Sequence, residues 1–184
     1  MNAFDPPPPP PDRRAALGIW TLIAALLLGP SLLVWIVRGV AFGFGCAPGP
    51  ELCHGIAIGG GLRDTLNLAW FVGGDTTLLV LFAIAAAIAA LFARRPLLAA
   101  LSALVLPMAV LVLPTLAVYV SAYHGCAANE SGVGSCALWG AKMGMSFHRA
   151  ALAPWWLYDV VPYAFAAAIM LGLIGWMFCR ERQS

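Results

Sequence analysis

Four stretches of the chain, residues 15–37, 76–93, 97–123 and 160–179, contain no charged side chain at all. This feature limits the fold more than any other. A run of about 20 apolar residues is what a helix needs to cross a bilayer, and each stretch reaches or nearly reaches that length. The first would extend about 35 Å at 1.5 Å per residue. The second is the shortest and is expected to borrow residues upstream. With 62% hydrophobic and 10% charged residues, the chain is far from the roughly 25% charge of a water-soluble domain. Water is therefore the wrong solvent for most of this surface, and lipid is the expected one. The first stretch follows arginines as a signal peptide would, but its apolar run is longer than a signal core and no small-residue cleavage pattern follows. It is read as a retained helix.

Basic residues set an expected orientation. With four spans, Arg13, Arg14, Arg94, Arg95, Arg180 and Arg182 share one side, against Arg38, Arg63, Lys142 and Arg149 on the other. Short loops rich in arginine stay cytoplasmic, and Arg94-Arg95 between the second and third spans is the clearest marker. The excess of Ala, Gly, Pro and Arg over Lys suggests a GC-rich bacterial genome. The expectation is a multi-pass protein of the bacterial inner membrane with both termini cytoplasmic. Its helices cover about 15–38, 74–93, 96–123 and 159–179, its outer loops 39–73 and 124–158, and its tails 1–14 and 180–184. Aromatic residues mark the boundaries, with Trp70, Trp155, Trp156 and Tyr158 as outer interface anchors and Trp20, Phe92, Trp176 and Phe178 at the inner face.

Between the spans the chain has local features of its own. Pro6 to Pro11 form an unbroken proline run, expected to be an extended polyproline II spacer. Pro30, Pro107 and Pro114 fall inside spans, where they free backbone carbonyls and kink the axis. Ala83, Ala86, Ala87 and Ala90 give the second span a small-residue packing face. In the first outer loop, residues 62–72 suit a short interfacial helix bounded by glycines. In the second, Lys142, Ser146 and Arg149 share one helical face, and Met143, Phe147 and Ala151 lie roughly opposite. That is the pattern of a helix lying on a membrane surface or against a partner.

No ionisable side chain lies in the middle of any span, which argues against pumps, ion-coupled transport and a mid-membrane haem held by histidines. Asp75, at the mouth of the second span, reads as a helix cap. The chemistry-bearing residues are the cysteines. Cys46 and Cys53 sit in one outer loop, Cys126 and Cys136 in the other, and an oxidising compartment should pair them. Of three connectivities, pairing within each loop is the simplest. Closing loops this short would contribute about 2.5–3 kcal/mol each. The expected role is a structural clip.

Four spans with a cysteine pair in each outer loop resemble the topology of the disulfide-generating DsbB family and its vitamin K epoxide reductase relatives. The resemblance covers helix count and cysteine placement, and it implies quinone-linked thiol oxidation as the alternative function, with quinone as cofactor. Those families carry C-x-x-C, whereas the spacings here are C-x6-C and C-x9-C. No catalytic residue transfers. A third reading pairs the thiols with His54, His124 and His148 and with Met143 and Met145 as soft metal ligands, but no tight ligand spacing supports it and no metal is expected. Cys179 reads as a packing residue. Phosphate-binding glycine loops, catalytic triads and HExxH motifs are missing. The conclusion at this level is an all-α, four-span integral membrane protein with two disulfide-clipped outer loops. It would be a non-catalytic accessory, structural or assembly subunit, without cofactor, whose partners are the lipid bilayer and other membrane subunits and not nucleic acid.

Overall fold

The computed structural model describes residues 12–127 and 129–180, with the side chains at 176 and 178–180 lying outside that description. The proline run, most of the C-terminal tail and the packing of Cys179 therefore also lie outside it. Among the described residues five helices form: α1 (Arg13–Gly43), α2 (Ile58–Gly73), α3 (Thr76–Phe92), α4 (Pro96–Tyr119) and α5 (Gly144–Arg180). A two-stranded antiparallel hairpin, β1 (Ala137–Leu138) and β2 (Ala141–Lys142), precedes α5. Helices α1, α4 and α5 are each long and apolar enough to cross a membrane, and the bent pair α2–α3 makes a fourth candidate if taken as one broken span.

The helix ends follow from local chemistry. Asp12 caps α1 by accepting the Arg14 amide at 2.9 Å. At the other end Gly45 takes φ +69°, so its amide reaches Phe42 O and that of Cys46 reaches Ala41 O. This is a Schellman closure, and it delivers Cys46 directly against the end of α1. The same motif ends α3, with Arg94 at φ +59°, its amide on Leu91 O and that of Arg95 on Ala90 O. Pro96 then opens α4, a position where a missing amide hydrogen costs nothing.

The second apolar stretch is helical over 17 residues and reaches span length only together with the helix before it. That helix, expected over 62–72, covers Ile58–Gly73 and meets α3 at 77°. Gly73 packs against Val110 and Leu111 of α4. Asp75 then starts a new helix by accepting the Leu78 amide at 3.0 Å. The fourth stretch departs from expectation in the opposite way. No separate surface helix precedes it, and α5 runs unbroken for 37 residues through Pro154 and Pro162.

Helix α4 packs against α1, α3 and α5. Ala83, Ala86, Ala87 and Ala90 of α3 are buried with Ala99 and Ala103 of α4, as close backbone approach requires. Along α1, a series of donors reaches α4 and the turn that follows it. Trp20 Nε1 donates to Ser102 Oγ, Ser31 Oγ to Val110 O, Trp35 Nε1 to Leu113 O and Arg38 Nη2 to Val120 O. Val110 O is the carbonyl that Pro114, four residues on, leaves without its helical donor. The buried Ser31 hydroxyl supplies a replacement at 3.5 Å. Much of the outward surface of α1, α3 and α5, including Leu22, Ile36, Leu81, Ile169 and Leu173, is apolar and exposed, which matches contact with lipid.

Candidate functional site: the clipped cap

Segments 44–57, 120–127 and 129–143 gather at one end of the helices, where α2 and the start of α5 join them in a core distinct from that of the bundle. Two disulfides, Cys46–Cys53 and Cys126–Cys136, bridge Cα atoms 5.5 and 5.0 Å apart. Each closes within its own segment. After Cys53 the chain reverses through His54 and Gly55, both at positive φ, with reciprocal hydrogen bonds between Cys53 and Ile56. His54 Nε2 lies 2.8 Å from Phe44 O, which ties the turn back to the end of α1.

Trp139 holds the two segments together. It occupies the tip of the hairpin with Gly140, at φ +46° and +81°, the left-handed pair that a two-residue hairpin turn requires. Its indole enters the ring closed by Cys46–Cys53 and is 4% exposed. Nε1 donates to Ala47 O at 2.9 Å, and the backbone amide donates to Gly49 O at 2.8 Å. The next amide, of Gly140, reaches Pro50 O, while Trp139 O accepts from Gly59. Gly59 has no room for a side chain, because a Cβ there would strike the Leu138 and Trp139 carbonyls. On the far side of the hairpin, Tyr123 Oη donates to Ala137 O and the Met143 amide donates to Cys136 O.

Several residues singled out from sequence take other places. Lys142 is exposed, but on β2 and not on a helix. Ser146 is 1% exposed and does not face water, because α5 begins only at Gly144 and its first turns are wrapped by the cap. Met143 and Phe147 are buried in the cap core, facing protein and not lipid. Arg149 is half-buried. Trp70 is 2% exposed and is a core residue, not an interface anchor. It lies on the inward face of α2 with Leu62, Leu66 and Gly73, edge-on to Trp156 at 5.8 Å. Trp156 is half-buried, while Trp155 and Tyr158 point outward at 61% and 77% exposure. The hairpin and its Trp139 plug were not anticipated. Their one sequence signal is a Trp-Gly pair between short apolar residues, which lacks the Asn or Asp that usually marks such a turn.

The cap offers little reactive chemistry. Cys53, Cys126 and Cys136 are each 6% exposed or less, and only Cys46 is half-buried. Among the described residues no three His, Cys, Asp or Glu side chains converge on one point. His148 Nδ1 is engaged with Asn129 O at 2.8 Å. A comparison with protein-family models found no match, and comparisons with curated proteins and with solved structures found none either. What the architecture defines is a mostly helical protein with three to four candidate membrane spans and a disulfide-stabilised cap.

Proposed function

We propose that the chain is a four-span protein of the bacterial inner membrane with both termini cytoplasmic and the cap outside. It acts there as a non-catalytic accessory or assembly subunit that packs against other membrane proteins. The observation that carries this reading is the interlock at Trp139, with three of the four disulfide cysteines buried in the same core. A thiol oxidant must present a sulfur to an incoming thiolate in line with the bond it breaks. A cap built like a domain core instead presents a fixed surface, and fixed surfaces suit docking. The arginine-bounded α3–α4 turn supports the orientation.

One observation favours the quinone-linked thiol-oxidising alternative. Cys46 and Arg38 line the same small cavity, where a guanidinium brought up to the sulfur would favour the thiolate as leaving group. Two experiments separate the readings. Reporters fused at Arg95 and at Asn129 should report opposite sides of the membrane, cytoplasmic and external. Acid-quenched cells carrying Cys46→Ser or Cys136→Ser should show no mixed disulfide with another protein, and the wild type should run on native gels in mild detergent as part of a larger assembly. A trapped mixed disulfide would establish the oxidoreductase reading. Migration at monomer size would remove the subunit reading.

A further inference from the structure

Below the cap, two open grooves meet where α2 turns into α3. The upper one, about 730 Å³, lies between α2 and the start of α5 and is lined by Asn67, Trp70, Phe71, Asp75, Met145 and Arg149. The lower one, about 440 Å³, runs between α3 and α5 beside Thr76, Thr77, Val80, Leu81, Asp159 and Tyr163. Asp75 lines the first and Thr76 the second, so the grooves adjoin at the bend.

Both linings mix polar and apolar side chains, and several of their polar groups are unengaged, although Asp75 also caps α3. Arg149, Asn67 and Asp159 have no ion-pair or hydrogen-bond partner among the described residues. Trp70 Nε1 is a buried donor without an acceptor. Phe71 and Met145 stand exposed at 82% and 48% on the rim. One guanidinium and two carboxylates line the pair of grooves, so a purely anionic ligand meets a net repulsive wall. A ligand carrying both an anion and an ammonium meets complementary charges.

We propose that this two-part groove holds one aminophospholipid of the surrounding leaflet. Its phosphodiester faces Arg149 and Asn67, its primary ammonium faces the Asp75 and Asp159 carboxylates, and an acyl chain follows Val80, Leu81 and Tyr163. Arg binds phosphate through paired, charge-assisted hydrogen bonds. A primary ammonium donates hydrogen bonds to carboxylates, which a quaternary choline cannot do. The occupant is a lipid and not a free headgroup because large apolar side chains stand exposed beside the charges in both grooves, Phe71 in the upper and Leu81 and Tyr163 in the lower. The proposal rests on the membrane reading above but not on the subunit reading.

The test uses the full chain, purified in mild detergent and supplied with equal amounts of phosphatidylethanolamine, phosphatidylglycerol and phosphatidylcholine, with retained lipid read by native mass spectrometry. One phosphatidylethanolamine should be kept in clear preference to the other two. Arg149→Gln should weaken its retention about tenfold, the loss of one charge-assisted contact. Asp159→Asn should retain lipid but lose the preference over phosphatidylglycerol. Intact disulfides and flotation with phosphatidylethanolamine vesicles show that each variant is folded and inserted. Equal retention of the three lipids by the wild type, a preference for phosphatidylglycerol, or a folded Arg149→Gln protein that binds as before would overturn the site. Failure of the wild type to float with vesicles would remove the membrane reading, and this site with it.

Discussion

The cap and the bundle belong to one chain but are held by different forces. In the bundle, buried contacts come largely from small and aliphatic side chains, and the outward faces of the helices are as apolar as the interior. If those faces meet lipid, little hydrophobic drive separates helix from helix, so close packing of alanines and a few donors from α1 must supply cohesion. The cap is the reverse. Its backbone is irregular, its core holds Trp139, Phe147, Met143 and three cysteines, and it uses two covalent bridges and a plug of directed hydrogen bonds. A small module with so little regular backbone needs such staples. The difference teaches where damage should stay local and where it should spread.

The severest test of that contrast is Trp139→Ala. Removing a buried aromatic costs about 3–5 kcal/mol, and here it also strips the Ala47 carbonyl of its donor. Protease nicking between 44 and 57 and between 124 and 136 should rise sharply, while helical circular dichroism of the spans persists. Loss of helicity throughout would mean that the cap and bundle fold as one unit.

Joint replacement of Cys126 and Cys136 by Ala comes next, with an expected loss of about 3 kcal/mol from the cap alone. Denaturant titration followed by cap-specific proteolysis would measure it. An unchanged midpoint would show that the interlock suffices without this bridge. Replacing Gly59 by Ala should cost about 1–3 kcal/mol, since the new Cβ meets backbone carbonyls of the hairpin that cannot turn aside. Thermal unfolding would check it, and a neutral result would show that the hairpin is held less firmly than its hydrogen bonds suggest.

The two regions were also unequally legible. Each long bundle helix announces itself because a charge-free run has few other interpretations, and Arg94-Arg95-Pro96 marks the α3–α4 turn by composition alone. The cap depends on contacts distant in sequence. Nothing near Trp139 says that its indole will find the carbonyl of Ala47, 92 residues away. Periodicity on early α5 grouped Met143, Phe147 and Ala151, all of them buried, but set Ser146 on the opposite, polar face. Ser146 was therefore expected to face water and Trp70 the membrane surface, and both are enclosed by protein. The bend at Gly74-Asp75 was half visible. Asp75 reads as a cap, yet that role already ends one helix and starts another, which excludes a single continuous helix across the bend.

The smallest expected effect probes the bundle at its most directional point. Ser31→Ala removes the hydroxyl that reaches Val110 O, the carbonyl freed by Pro114, and leaves that acceptor buried without a donor. In water-soluble cores an orphaned acceptor would cost about 1–3 kcal/mol. Hydrogen bonds between membrane helices average nearer 0.6 kcal/mol, because the separated helices find other partners in the membrane. The 3.5 Å separation is also at the long limit for such a bond. The expected loss is therefore about 0.5 kcal/mol in unfolding by a denaturing detergent, with the cap's protease resistance unchanged. Ser31→Thr adds one methyl and keeps the hydroxyl, so it separates the hydrogen bond from the packing. A loss for Ser31→Ala as large as that for Trp139→Ala would show that directed bonds, and not alanine packing, hold α1 to α4, and the contrast between the two regions would then fail.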